Sequence, residues 1–387
     1  MPTTSQASKT TPFIMDSPYS KELQVAIGAV QSAAKLSQAV LVKSDKGTIE
    51  KDDLSPVTIA DFAIQALLTA TIQDAFPDDD FVGEESASDL RENPVLLNRV
   101  WELLLTLRGR EQEKCKLPES PEHMCELIDR CGFGEPGGGV SSSSRKKRVW
   151  VFDPIDGTKT FVRKEAYAIN VALLEADQQV LSVVGCPTLP VDGAGPVIHN
   201  RTVDPTGRGS IVFAVRGHGT YVRTLDGERD DDEDIRLRRI EPLAASRLHT
   251  TDHHLRAVSC YHMLDSGVDD AHDAVHARLG ITAKGCDFLA WVLRWVALGL
   301  GLANVTVWVY KDRQRTGKIW DHAGAMLLFE ELGGKITDID GKDIDLTAGR
   351  KLVTNHGFVA APRDVHTHVL KTVQDVLREQ GKSHLLA

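Results

Sequence analysis

Helix-like and strand-like apolar patterns alternate along the chain, and this alternation limits the folds that it can adopt. Apolar residues at helical spacing recur in four segments, at 21–44, 55–76, 289–303 and 320–334. Runs with the composition of buried strands recur in five segments, at 167–175, 178–187, 209–217, 219–225 and 304–310. Chains that interleave helices with strands form layered structures, so we predict an α/β protein.

Local signals predict where some of these elements begin and end. Ser55 and Pro56 indicate the start of the second helix, which places Asp61 in its first turns. Gly333 and Gly334 are predicted to end the helix of residues 320–334. The Asp-Gly pair within residues 335–346 favours a hairpin.

Charge and composition exclude several classes of partner. The net charge of −10 argues against a nucleic acid polymer, because binding a phosphate backbone needs a broad basic surface. Any small anion must therefore be bound by local groups. The N-terminus lacks the apolar region of a signal peptide, and we find no uncharged apolar run of about 18 residues, so we expect no membrane association and a cytoplasmic location. The six cysteines form no CxxC pair and are expected to be free thiols.

Carboxylates occur in four segments where the secondary structure is predicted to change. They are Asp61, Glu84 with Glu85, Asp153 with Asp156, and Asp321. In open α/β folds such positions face one crevice, and clustered carboxylates do not all stay ionised without a cation. A set of oxygen ligands suits Mg²⁺ or Mn²⁺ rather than zinc.

The segment WVFDPIDGTKTF, residues 150–161, carries two of these aspartates at the end of an apolar strand. A turn there lets Asp153 and Asp156 face one point and leaves the carbonyl of Ile155 free to join them. Gly157 and Thr158 then offer backbone N–H groups and a hydroxyl that suit a phosphate oxygen. Taken alone, Asp-Pro-x-Asp-Gly is an ordinary turn sequence, and only the combination of segments indicates a metal site next to a phosphate site.

In this order the segments resemble the lithium-sensitive, magnesium-dependent phosphatases of the inositol monophosphatase and fructose-1,6-bisphosphatase superfamily. The motifs DPIDGT and WDHAGA carry this resemblance. Within the superfamily, segments such as SPVTIADFAIQ, FPDDDFVGEES and KIWDHAGAMLLFEELGG look like the 3′(2′),5′-bisphosphate nucleotidases of fungi and plants. The resemblance covers roughly residues 20–365 and implies an α-β-α-β-α sandwich.

The resemblance also assigns roles to residues. It implies that two or three Mg²⁺ ions are bound, with Mn²⁺ as a possible substitute and Li⁺ as an inhibitor. The implied metal ligands are Glu84, Asp153, the Ile155 carbonyl, Asp156 and Asp321. Asp61 and Thr158 are expected to orient and deprotonate the attacking water, and Gly157, Thr158, Lys159 and Arg294 are expected to contact substrate.

The substrate region departs from the family pattern. The family's Ser-Ser-His corresponds to residues 266–269, where Asp269 replaces the histidine, and its Asp-Ser-Gln-x-Lys-Tyr corresponds to residues 290–295. Only the basic position survives in the second motif, as Arg294, because Trp291 and Val292 replace polar residues. One of four nearby histidines is a candidate replacement phosphate contact: His249, His253, His254 or His262.

The sequence predicts three regions. Residues 1–16 are expected to be a disordered tail, residues 17–186 an N-terminal α+β domain with most metal ligands, and residues 187–387 a C-terminal α/β domain with Asp321 and the substrate side. Residues 88–148 are predicted to be an insertion in the first domain.

Three functions compete. The leading hypothesis is removal of the 3′-phosphate of adenosine 3′,5′-bisphosphate, to give AMP and phosphate. The first alternative is a phosphatase for an inositol phosphate or another small phosphorylated metabolite, which the altered segment 266–269 favours. A non-catalytic sensor of a phosphorylated ligand is less favoured, because every metal-ligand position is present.

Overall fold

The computed structural model describes most of the chain. The described residues are 14–42, 49–50, 56–109, 114–132, 148–191, 195, 197–226, 237–243, 255–261, 266–282, 285–347 and 349–387. The four histidines proposed as replacement phosphate contacts, His249, His253, His254 and His262, lie outside them.

Fourteen strands are described, and seven of them form the central sheet. The strands are β1 (Ile49–Glu50), β2 (Pro56–Val57), β3 (Asp80–Gly83), β4 (Arg148–Asp156), β5 (Ala168–Glu175), β6 (Gln178–Cys186), β7 (Ser210–Val215), β8 (Gly219–Thr224), β9 (Arg238–Arg239), β10 (Val258–Ser259), β11 (Cys286–Asp287), β12 (Thr306–Trp308), β13 (Gly334–Thr337) and β14 (Phe358–Pro362). The central sheet has the order β3-β4-β5-β6-β7-β8-β9, in which only the β3–β4 pair is parallel. A second sheet has the order β12-β14-β13.

Eleven α-helices are described on the faces of these sheets. They are α1 (Ser20–Val42), α2 (Ile59–Ala75), α3 (Ser88–Glu92), α4 (Pro94–Leu105), α5 (Pro121–Asp129), α6 (Thr158–Val162), α7 (Asp269–Arg278), α8 (Trp291–Gly299), α9 (Ile319–His322), α10 (Ala325–Glu330) and α11 (His366–Glu379).

The strand residues alternate between separate apolar cores, and this alternation produces the layers. In β4, Trp150 and Phe152 belong to the core that α1 and α2 cover, while Val151 faces the core that contains α8 and α10. In the second sheet, Trp308 faces that same α8–α10 core, whereas Val307 faces a third core, under α7 and α11. Because both faces of each sheet are buried, the layers are helix, sheet, helix, sheet, helix, and the predicted α-β-α-β-α fold is confirmed.

Helix α1 is long and apolar enough to cross a membrane, by length and composition only, whereas we expected no apolar run of that length. More than half of the most apolar stretch of this helix is nevertheless buried within the protein. The helix packs on α2 and on β5 and β6 of the central sheet. This burial is the behaviour of a core helix.

Several local expectations need correction. Helix α2 begins at Ile59, capped by Thr58, and not at Ser55-Pro56, because Thr58 and Asp61 form a reciprocal capping box. The predicted helix of residues 320–334 is two helices, α9 and α10, separated at Gly324 (φ 82°). Residues 335–346 do not form a hairpin, since β13 pairs with β14 instead and the Asp-Gly pair only turns the chain.

Two predicted boundaries also shift. Residues Ile14–Asp16 form a 3₁₀ turn and Ile14 is buried, so the predicted tail does not reach residue 16. The central sheet continues past residue 186 with β7, β8 and β9, so the predicted domain boundary falls inside one sheet. Within the predicted insertion, α4 and α5 pack on α2. All six cysteines are free and buried, in agreement with the sequence.

Gly324 provides a test of how α9 is positioned. A Cβ at this residue would lie 2.7 Å from the Cβ of Ala172 on β5, and its φ of 82° disfavours side chains. Gly333 has a similar φ of 91°, but no atom lies within 4 Å of its Cβ position. We expect Gly324→Ala to lower the free energy of unfolding by about 3 kcal/mol and Gly333→Ala by only about 1 kcal/mol. Urea denaturation measures both, and equal losses would show that contact with Ala172 is unimportant.

Candidate active site

A β-bulge at the end of β4 brings Asp153 and Asp156 to one point. In a regular strand, residues three apart lie on opposite faces, so these two carboxylates would diverge. The pairing of β4 with β5 shifts between them: Asp153 pairs with Asn170, and Asp156 pairs with Ala168. One extra residue in β4 therefore restores a common direction. The predicted turn is a bulged strand end, with the same consequence for the carboxylates.

Asp321 completes a cluster of three carboxylates. Oxygen atoms of Asp153, Asp156 and Asp321 all lie within 4.8 Å of one another, and they form the only group of this kind within the described ranges. Asp321 reaches the strand from α9, and Asn170 on β5 holds that helix. The Asn170 side-chain amide donates to the carbonyls of Trp320 (2.7 Å) and Ala323 (3.0 Å). Asn170 thus pairs with Asp153 in the sheet and also fixes the helix that carries Asp321.

The carboxylates of this cluster resist ionisation. Burial, followed by the charge of Glu84, raises the pKa of Asp153 well above its usual value. Burial, followed by the charge of Asp156, does the same for the pKa of Asp321. Burial raises the pKa of Asp156 to about 7, although the N–H of Val292 donates to its Oδ2 at 2.5 Å and opposes the shift. A bound cation would reverse the preference for the protonated forms.

The donor set fits a hard divalent cation. Oδ1 of Asp153 is buried and accepts no hydrogen bond, which is a costly state for an ionised oxygen unless an ion occupies its lone pairs. The group contains only oxygen donors, which Mg²⁺ prefers. The carboxylates of Asp153, Asp156 and Asp321 are therefore the residues that would hold it.

Glu84 lies beside this group, at the end of β3. Its charge is the second cause of the raised pKa of Asp153, so the two carboxylates are near each other. The sequence did not reveal Gln65, whose side chain holds the neighbouring backbone: its amide donates to the Glu85 carbonyl and its oxygen accepts from the Glu85 N–H, both at 2.8 Å. A glutamine in the apolar stripe of a buried helix is the signal that could have indicated this role.

Asp61 and Thr158 lie in the same region, with hydrogen bonds to their own segments. Oδ2 of Asp61 accepts from the N–H (2.8 Å) and the hydroxyl (2.7 Å) of Thr58, and its charge contributes to the raised pKa of Asp153. The hydroxyl of Thr158 donates to the Ile155 carbonyl at 3.2 Å. Their predicted joint action on a water molecule stays a prediction. Lys159 follows on α6 and is exposed.

Arg294 is not placed to contact substrate, in contrast to the prediction. Its side chain is fully buried, and the guanidinium donates to the carbonyls of Phe288 (2.8 Å) and Leu289 (3.2 Å). The guanidinium lies against two nearly perpendicular indole rings, 4.0 Å from the centroid of Trp291 and 4.6 Å from that of Trp308. The apolar replacement at residue 291 therefore encloses the one basic residue that the family motif retained.

The other departure from the family pattern, at residues 266–269, is divided between two cavities. Asp269 lines a separate cavity of about 400 Å³, together with His272 and His276. Ser266 lines a larger cleft of about 730 Å³ that also contains Lys159. Asp269 is therefore not among the residues that line the Lys159 cleft.

Comparisons with known proteins agree along almost the whole chain. The sequence model of the inositol monophosphatase family matches residues 19–378. A 3′(2′),5′-bisphosphate nucleotidase of Emericella nidulans is 36% identical over 383 residues, which cover 93% of this chain and 99% of that protein. One from Schizosaccharomyces pombe is 34% identical over 365 residues, covering 92% and 96%. The solved structure of a Thermotoga maritima IMPase has a TM-score of 0.54 at 17% identity and covers 93% of this chain and 99% of its own.

The carboxylate cluster predicts a measurable link between cation binding and stability. We expect Mg²⁺ to raise the melting temperature of the wild-type protein and to have much less effect on Asp153→Asn, because a ligand charge is lost. Without Mg²⁺, Asp153→Asn should melt no lower than wild type, since a buried carboxylate is removed. Asp177→Asn, on the exposed turn between β5 and β6, is the matched control. Equal Mg²⁺ responses in all three proteins would contradict the assignment.

The same cluster predicts the sign of a pH effect. The folded protein holds protons on these carboxylates above the pKa of an unfolded aspartate, and for Asp156 up to about pH 7. The metal-free protein should therefore lose stability as pH rises from about 4 to about 7, the range between the unfolded and folded pKa values. Since Mg²⁺ must displace these protons, its stabilising effect should be larger at about pH 8 than at about pH 5. Thermal unfolding at both pH values measures this difference.

Burial of Arg294 predicts a loss of stability for a charge-conserving substitution. We expect Arg294→Lys to lower the free energy of unfolding by about 2 kcal/mol, because lysine lacks the planar group that donates to both carbonyls while contacting both indole rings. Arg378→Lys, on α11 with 55% of its side chain exposed, is the control and should change it by less than about 0.5 kcal/mol. Urea denaturation measures both variants. Unchanged stability in Arg294→Lys, with a raised KM, would restore the substrate-contact role.

Proposed function

The chain belongs to the inositol monophosphatase family, and from this premise we propose that it is a metal-dependent phosphomonoesterase acting on adenosine 3′,5′-bisphosphate. The observation that carries the proposal is the convergence of Asp153, Asp156 and Asp321 within 4.8 Å, at the end of β4. The reaction is hydrolysis of the 3′-phosphate to give AMP and inorganic phosphate. A cytoplasmic location is part of the proposal.

Two observations support the choice of substrate. The relatives from E. nidulans and S. pombe, both named 3′(2′),5′-bisphosphate nucleotidases, align with at least 92% of this chain and at least 96% of their own length. The 730 Å³ cleft is also within the size range of pockets that hold small molecules. No broad basic surface is needed for a ligand of this size.

The residues divide into those that hold the cation and those that act on water and phosphate. We propose that Glu84 and the Ile155 carbonyl join the three aspartates as metal ligands, and that this set holds two or three Mg²⁺ ions. In this proposal Mn²⁺ can substitute for Mg²⁺, and Li⁺ is an inhibitor. When bound, Mg²⁺ would neutralise phosphoryl oxygens, lower the pKa of a water molecule and stabilise the leaving oxygen.

Asp61 and Thr158 complete this assignment. Asp61 accepts the proton of the attacking water, and Thr158 orients that water through its hydroxyl. Gly157, Thr158 and Lys159 then contact the phosphoryl group, because they directly follow Asp156 along the chain. No covalent intermediate with the protein is required.

The buried state of Arg294 favours a second candidate. Since the basic residue expected to contact the second phosphate is enclosed, a substrate with one phosphate, such as an inositol phosphate, is the alternative. The same catalytic residues would serve either substrate. Phosphate release therefore separates the two hypotheses.

The test is phosphate release from five substrates side by side, with Mg²⁺, with chelator and with Li⁺. They are adenosine 3′,5′-bisphosphate, adenosine 2′,5′-bisphosphate, inositol 1-phosphate, inositol 1,4-bisphosphate and fructose 1,6-bisphosphate. We expect the adenosine bisphosphates to be hydrolysed fastest, and chelation or Asp321→Asn to abolish turnover. Preference for an inositol phosphate would select the alternative, and activity that persists after chelation would contradict the mechanism.

A further inference from the structure

The cleft that contains Lys159, which follows Asp156 closely in the chain, is lined by more cations than anions. Its cationic side chains are Lys159, Arg163, Arg201 and Arg315, and its carboxylates are Glu165 and Asp287. The cations come from three separate segments: the short helix α6, the loop after β6 and the loop after β12. In a protein with a net charge of −10, this cleft is a local group of positive charges of the kind that a small anion needs.

Two carboxylates do not balance the four cations of this cleft. Glu165 lies between two guanidiniums, 3.8 Å from Arg163 and 3.5 Å from Arg201, so a single negative charge is shared by both. Asp287 accepts the backbone N–H of Tyr261 at 3.1 Å. Within the part of the chain that the structure describes, no carboxylate is in ion-pair contact with Arg315 or Lys159. The cleft therefore retains a surplus of positive charge.

The wall that carries Arg201 is held by its neighbour Asn200. The Asn200 carbonyl accepts from the N–H of Ala166 (2.6 Å), its N–H donates to the Asp287 carbonyl (3.0 Å), and its side-chain oxygen accepts from the N–H of Leu289 (2.9 Å). These bonds tie the loop to the segment after α6 and to the segment before α8. The side chain of Arg201 itself is 83% exposed, so a ligand in the cleft can reach it.

Arg294 stabilises the backbone of a segment that lines this cleft. By donating to the Phe288 and Leu289 carbonyls it fixes the segment that bonds to Asn200, and Leu289 lines the cleft. It is therefore a positioning residue. Its own charge is separated from the cleft by burial, so an anion in the cleft must be bound by other residues.

We propose that Arg201 and Arg315 bind the second, 5′-phosphate of the substrate in this cleft, and so provide the preference for a bisphosphate over a monophosphate. The inference rests on the proposed function, because it assumes that the 3′-phosphate lies at the carboxylate cluster. Lys159 lies on α6, which begins at Thr158, and Arg163 directly follows this helix, so both are assigned to the reacting end. Arg201 and Arg315 lie on separate loops, and planar guanidiniums bind phosphate through paired hydrogen bonds.

The experiment compares adenosine 3′,5′-bisphosphate with adenosine 3′-monophosphate, which lacks only the 5′-phosphate. Arg201→Ala and Arg315→Ala should each raise the KM for the bisphosphate about tenfold, with kcat nearly unchanged, while the KM for the monophosphate changes less than about twofold. Arg378→Ala is the matched control, since α11 contributes no residue to the cleft. Thermal unfolding checks that the variants, which change exposed side chains, fold as wild type does.

A binding measurement separates this inference from the proposed function. Calorimetric titrations with AMP and with adenosine, in the presence of Mg²⁺, measure this. Wild type should bind AMP more tightly than adenosine. Each variant should bind AMP about tenfold more weakly than wild type does, and adenosine with unchanged affinity. Unchanged substrate preference and unchanged AMP affinity in both variants would overturn the inference. If wild type hydrolyses neither nucleotide, the proposed function fails, and the AMP titration alone decides whether these arginines bind a phosphate.

Discussion

Three carboxylates gathered at the end of a buried strand are the constraint on which the rest of this structure depends. Asp153, Asp156 and Asp321 hold oxygens within 4.8 Å of one another in surroundings that oppose their ionisation. Such groups separate unless the backbone holds them together, and here a bulge in β4 and a short helix do so. The cost of this arrangement is offset when a cation binds, so metal binding and stability are linked.

The polar residues that support the cluster lie inside apolar elements. Asn170 on β5 pairs with Asp153 and holds the helix of Asp321, while Gln65 on α2 holds the backbone next to Glu84. Each is buried, and its side-chain N–H group donates to backbone carbonyls of a neighbouring segment. Because a buried amide is costly unless it is paired, each fixes one geometry of the site.

The two sides of the site differ in how they relate to the family pattern. The metal side keeps every residue that the pattern requires, whereas on the substrate side Trp291 and Trp308 enclose the retained cation, Arg294. Because Arg294 is enclosed, it donates hydrogen bonds to the backbone of residues 288–289 instead of contacting a ligand. The positive charge that a second phosphate needs is then found on exposed loops, including Arg201 and Arg315.

The amino-acid sequence by itself determined the layered α/β class, the position of Asp61 in the first turns of a helix and the carboxylates that form the acidic cluster, because periodicity and motif order are local properties. The other features could not be predicted, because they involve residues that are far apart in the sequence. The pairing of β13 with β14, the break at Gly324, the burial of Arg294 and the role of Asn170 depend on contacts between distant segments. Only the tertiary structure decided these features, since a residue's burial and partners are set by what packs against it.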